Sequence, residues 1–88
     1  GYFVEKLNTT AQLLELNYTI QAISLERLGQ VSQEHDLILL APQVSYQCAL
    51  LKEKYKNKQI IKIPATIFAR YDAYKLIELI KDTLENPE

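Results

Sequence analysis

The sequence predicts an α/β domain built on a parallel sheet. Three observations predict it. Helical apolar stripes alternate with short apolar runs, the connections between them are brief, and Leu37-Ile38-Leu39-Leu40 is an unbroken aliphatic run. Such a run suits a strand covered on both faces. The reading order is helix, strand, helix, strand, helix, strand, helix, which implies βαβ units. Eighty-eight residues are room for a single domain, 1–88, with one modest core.

The first helix is predicted over 2–16, from a stripe of Phe3, Leu7, Ala11 and Leu14 widened by Val4 and Leu13, with Asn17 as its stop. Residues 18–23 (Tyr-Thr-Ile-Gln-Ala-Ile) are β-rich and read as a strand. Ser24 can cap a second helix with Leu25, Leu28 and Val31 on its apolar side, and Gly29 makes that helix short or weak. The run 37–40 is closed by Pro42. Residues 44–57 then read as a helix with the stripe Val44, Cys48, Leu51 and Tyr55. Residues 59–63 form a third strand, stopped by Pro64, and 65–71 read as a loop. Asp72 can cap a last helix whose face is Ala73, Leu76, Ile77, Ile80 and Leu84.

Composition narrows the function. Hydrophobic residues are 48% and charged residues 24%, a globular mix, and no stretch is long and apolar enough to cross a membrane. Ten Lys plus Arg against eleven Asp plus Glu give a net charge of −1, which argues against a nucleic-acid partner. One cysteine cannot form an internal disulfide, and with one histidine it cannot close a zinc site, so no metal is expected. Two glycines cannot build a phosphate cradle, and no cofactor motif is present. The cysteine usage fits an intracellular compartment. The absence of methionine and the opening Gly1-Tyr2-Phe3 suggest a fragment or processed product.

Most single candidates have an ordinary structural role. Cys48 shares a stripe with Val44, Leu51 and Tyr55, so it reads as a buried hydrophobe and not as a nucleophile. His35 precedes a strand at its amino end and reads as a loop histidine. The lysines of 52–58 read as a solvated face, and the six scattered tyrosines as core or interface. Ala41-Pro42-Gln43-Val44-Ser45-Tyr46 lies at a strand's carboxyl end and a helix start, where open α/β sheets bind ligands and where a helix favours an anion. It reads either as a binding loop or as a capped turn. Arg70 reads as a phosphate or acidic-partner contact, or equally as a solvated arginine. The first helix has no strand before it, and a strand–loop unit directly preceding Gly1 is where a functional loop would be sought.

The run Leu37-Ile38-Leu39-Leu40-Ala41-Pro42-Gln43-Val44-Ser45-Tyr46 resembles the strand and loop of the lactose/cellobiose-type enzyme IIB of the bacterial sugar phosphotransferase system. That family shows an apolar strand, then Gly or Ala, Pro, Gln, an aliphatic residue, a variable residue and Tyr. Residues 2–7 look like the helix after the family's cysteine loop, and Ile60-Ile61-Lys62-Ile63-Pro64 like its last strand. The resemblance implies a three-layer α/β/α fold with a four-stranded parallel sheet, of which three strands are visible and the first, a central one, is missing. It implies a cytoplasmic phosphocarrier, a transferase. A cysteine takes phosphate from a histidine of enzyme IIA and passes it to a sugar, a disaccharide such as cellobiose or lactose, at the membrane enzyme IIC.

The chain departs from the family in having no residue at the cysteine position, which would lie just upstream of Gly1. No catalytic residue is therefore assigned within 1–88. The residues carried over as the wall of the site are Pro42, Gln43 and Tyr46, with Gly1 as the last trace of the phosphate loop and Arg70 in the loop after the last strand. A chain without that central strand is expected to be unstable unless something else fills its place. The rival expectation is a regulatory module of this shape, attached to a transcription regulator, that binds partners without relaying phosphate.

Overall fold

The computed structural model describes residues 1–87, with the backbone alone at residue 32. Among these the chain forms α1 (Tyr2–Leu13), α2 (Leu28–Val31), β1 (Leu37–Leu40), α3 (Cys48–Lys54), β2 (Gln59–Lys62), α4 (Ala65–Ala69) and α5 (Ala73–Glu85). The result is a mixed helix–strand domain on a two-stranded parallel sheet. Leu37 stands opposite Gln59, Ile38 opposite Ile60, Leu39 opposite Ile61 and Leu40 opposite Lys62. A parallel pair needs a crossover, and the chain from Ala41 to Lys58, carrying α3, supplies it. The strands' exits at Pro42 and Pro64 therefore share one end of the sheet, the carboxyl rim.

Alternation along β1 divides the interior in two. Ile38 and Leu40 join Leu28, Cys48, Leu51 and Ile60 in one buried cluster. Leu37 and Leu39 pack against the other, formed by Phe3, Leu7 and Ala11 of α1 with Ala73, Leu76, Ile77 and Ile80 of α5. The stripes read from the sequence on α1 and α5 are the faces that meet there. Asp72 caps α5 as expected, its side chain accepting a hydrogen bond from the Lys75 N–H at 3.2 Å.

Four expectations are corrected. Residues 18–23 are not a strand, because no strand lies beside them to pair with, and β propensity forms no ladder by itself. The helix expected from Ser24 is a 3₁₀ turn at Leu25–Arg27, the short α2 and a second turn at Ser32–Glu34. The helix expected over 44–57 opens as a 3₁₀ segment, Pro42–Gln47, and is α-helical only over α3. The loop expected over 65–71 contains α4.

Two helices stop on residues that no sequence rule marks. α1 ends before Asn17. Glu15 takes a positive φ of 59°, the Leu16 N–H donates to the Ala11 carbonyl at 2.9 Å and the Glu15 N–H donates to that of Gln12 at 3.0 Å. α4 ends in the same way. Tyr71 has φ 50°, and the Asp72 N–H donates to the Ile67 carbonyl at 3.0 Å. This is the left-handed cap that glycine usually occupies, and a residue with a Cβ is held in it at a cost of about 1–2 kcal/mol.

Replacing Glu15 with glycine should stabilise the fold by up to about 1 kcal/mol by removing that cost. Leu76 is 0% exposed, and Leu76→Ala should destabilise by about 2–5 kcal/mol through lost burial and the cavity left behind. Urea denaturation with an unchanged m-value checks both. A destabilised Glu15→Gly variant would refute the cap argument.

Candidate functional site: the carboxyl rim and the cavity beside β1

The rim is built by the two strand exits and the start of α1. After β1, Ala41 is extended and Pro42 turns the chain into the 3₁₀ segment. The Val44 N–H donates back to the Ala41 carbonyl at 3.0 Å, and the Ser45 hydroxyl donates to the Pro42 carbonyl at 3.0 Å. The Ser45 hydroxyl therefore serves its own turn. Proline carries no N–H and the α-helical register starts only at Cys48, so little of the helix dipole expected at residue 44 reaches this loop. What the loop presents outward is the exposed Gln43 and the Tyr46 ring, which is 77% exposed.

An aromatic corner fixes the start of α1 to the exit of β2. The Tyr2 and Tyr71 rings meet edge to face at 5.3 Å, Phe3 and Tyr71 at 5.6 Å, and Phe3 and Phe68 at 6.0 Å. Lys6 Nζ donates to the Tyr71 carbonyl at 2.8 Å. These contacts dock the start of α1 on Tyr71, whose left-handed conformation turns the chain from α4 into α5.

Beside β1 lies a cavity of about 900 Å³. Leu37, Ile38, Leu39 and Leu40 line one side and residues 17–23 another, with Phe3 and Leu7 of α1 also on its wall. Gly1 and Gln43 both border it. Gly1 and Gln43 thus share a lining that runs the length of β1 and also takes in Glu34, His35 and Asp36 at its amino end, with Pro42 adjoining Gln43. Tyr46 and Arg70 do not line it and are exposed.

Cys48 is 7% exposed within the Ile38–Leu40 cluster. His35 lies at the amino end of the sheet, on the lining of the same cavity as Gly1 and Gln43. Its Nδ1 sits 3.0 Å from the Val31 carbonyl oxygen, which can only accept, so that nitrogen carries the proton. Lys58 Nζ donates to the His35 carbonyl at 2.7 Å and the Gln33 carbonyl at 3.4 Å, tying the entries to both strands together. Among the described residues no group of three or more His, Cys, Asp or Glu could hold a metal ion, and no helix is long and apolar enough to cross a membrane.

Sequence reasoning missed Asn8. Its amide nitrogen donates to the Ile20 carbonyl at 2.8 Å and its amide oxygen accepts the Ile20 N–H at 3.0 Å. The side chain does for Ile20 what a neighbouring strand would do. The available signal was a polar residue on the flank of an apolar stripe, one turn after Val4, whose carbonyl Asn8 also meets at 3.1 Å. Compared with known proteins, the chain matches no family model and no curated protein.

Proposed function

We propose that this chain forms the body of a phosphoryl-relay module of the lactose/cellobiose enzyme IIB type. In that reading the sheet is completed to four strands in a three-layer α/β/α arrangement, and the relay thiol stands on a loop leading into Gly1. The reading rests on the Ala41-Pro42-Gln43-Val44-Ser45-Tyr46 loop at the exit of β1, with Gln43 and Gly1 both on the lining of the cavity along that strand. That is where an open α/β sheet handles ligands.

The chemistry follows from the resemblance. A thiolate attacks the phosphorus of a phosphohistidine on enzyme IIA, and the P–N bond breaks as the P–S bond forms. A sugar hydroxyl at enzyme IIC then attacks, and the P–S bond breaks as the new P–O bond forms. In this reading the Gln43 amide donates to a phosphoryl oxygen, Arg70 supplies positive charge, and the exposed Tyr46 and Tyr71 rings offer contact area to a partner. The module acts in the cytoplasm on a disaccharide such as cellobiose or lactose.

A second reading has its own observation. Cys48 is buried, and a non-catalytic regulatory module that binds the same partners needs no exposed thiol.

Incubating the full natural protein with a phosphorylated cellobiose-type enzyme IIA, followed by intact-mass analysis and peptide mapping, separates the two. The relay predicts phosphate on a thiol other than Cys48. Cys48→Ala should lower stability by about 1–2 kcal/mol and leave transfer unchanged. No phosphate on any cysteine would overturn the relay in favour of the regulatory module. Loss of transfer in a folded Cys48→Ala protein would show Cys48 to be the nucleophile.

A further inference from the structure

We propose that the outer face of α1 and α5 is the seat of a second copy of this chain, docked antiparallel about a two-fold axis at the groove between Leu14 and Ile77. The proposal concerns the side of these helices turned from the sheet and holds whether or not the domain relays phosphate.

The placement of apolar side chains is the first support. Among the described residues, five of the seven large hydrophobic side chains left exposed are Tyr2, Leu13, Leu14, Tyr71 and Tyr74. Tyr2, Lys6 and Leu13 share one flank of α1, at steps of four and seven. Tyr2 and Lys6 both meet Tyr71, so that flank is the one turned to α5. Tyr74 belongs to the exposed stripe of α5, with Glu78 and Lys81 one and two turns further on. Single exposed apolar residues are ordinary, but a concentration of them along one helix seam marks a contact surface.

The seam opens into a groove of about 370 Å³ lined by Leu14, Leu16, Tyr74 and Ile77. Lys75, Glu78 and Lys81 also border it and are exposed. Shape and charge choose the occupant. The patch holds a hollow and, in the projecting Leu13 and Tyr74, side chains that fill one, which is what an isologous contact requires. Lys75 and Lys81 are balanced by Glu78 and by the exposed Glu15 beside Leu14, so the patch has no net sign. A partner of uniform charge gains nothing from it, whereas a copy of itself does. Glu78 and Lys81 lie three residues apart on one stripe. A two-fold axis crossing the helix between them sets Lys81 of each copy opposite the partner's Glu78.

The direction of the helices agrees with that axis. α1 starts at the contact of Tyr2 with Tyr71 and ends at the groove wall with Leu14, so α1 and α5 run the same way. The axis therefore apposes α5 to α5 and brings the ends of the two α1 helices together, with Leu13 and Leu14 at the centre. Helices of 12 and 13 residues are about 18 and 20 Å long and pack about 8–10 Å apart, so the face measures roughly 20 Å each way. That is the small end of specific interfaces, about 600 Å² a side, and implies a dimer with a Kd of roughly 10–100 μM.

The test is sedimentation equilibrium of the full natural protein over concentrations on either side of that Kd. Leu13→Lys, Glu78→Lys and Lys81→Glu each raise Kd at least about tenfold. Combining Glu78→Lys with Lys81→Glu restores the opposed charges and returns Kd to within about threefold of the unsubstituted protein. Leu50→Ser, which alters an exposed leucine on α3, leaves Kd unchanged. All of these positions are exposed, so the substitutions spare the fold, which amide NMR spectra check. A monomer at every concentration would overturn the proposal. So would association that survives Leu13→Lys and Lys81→Glu, or association that Leu50→Ser weakens as much as they do. A double charge reversal as weak as either single one would overturn the antiparallel arrangement.

Discussion

The parallel pairing of β1 with β2 is the constraint on which the rest of the molecule depends. A parallel pair cannot be closed by a tight turn, so the chain must travel from one end of the sheet back to the other. That return carries α3 across one face, while α1 and α5 close the other. The same pairing puts Pro42 and Pro64 at one rim, with His35 and Lys58 at the opposite end. Gln43 leaves the sheet at its carboxyl end and His35 enters it at the amino end, and both border the cavity that runs along β1.

A second constraint is local and concerns Tyr71. A left-handed tyrosine is unfavourable by itself, yet its carbonyl receives Lys6 and its ring receives the edges of Tyr2 and Phe3. The strain and the contacts are two sides of one arrangement. The left-handed cap turns the chain from α4 into α5, and α1 is docked on the residue that makes the turn. The exit of β2 and the beginning of α1 are fixed to each other by side chains some seventy residues apart in sequence. The rim is therefore a shaped surface and not a set of independent loops.

The sequence made legible what periodicity and punctuation encode. The stripe Ala73, Leu76, Ile77 and Ile80 is the buried face of α5, Asp72 is its cap, and the aliphatic run closed by Pro42 is β1. Cys48 was legible for the same reason, since its place on the stripe predicts its burial. The failures have one physical source, which is that tertiary partners decide what local preference leaves open. Residues 18–23 have the composition of a strand but no neighbour. The αL caps at Glu15 and Tyr71 fall on residues that composition would not choose. α4 hides in Ala-Thr-Ile-Phe-Ala, too short to show a period, and is held by Ile67 and Phe68 packing on the α1–α5 cluster. Of the rim, the positions of Pro42 and Gln43 were legible, whereas the inward turn of the Ser45 hydroxyl needed coordinates.

The rim and the cavity bear on each other. Gln43, at the exit of β1, and Gly1, at the start of α1, both border that cavity, with residues 17–23 on another of its walls. Asn8 holds the far wall by a single residue, Ile20, and one side-chain clamp leaves the remaining backbone of that wall without the regular pairing a ladder provides.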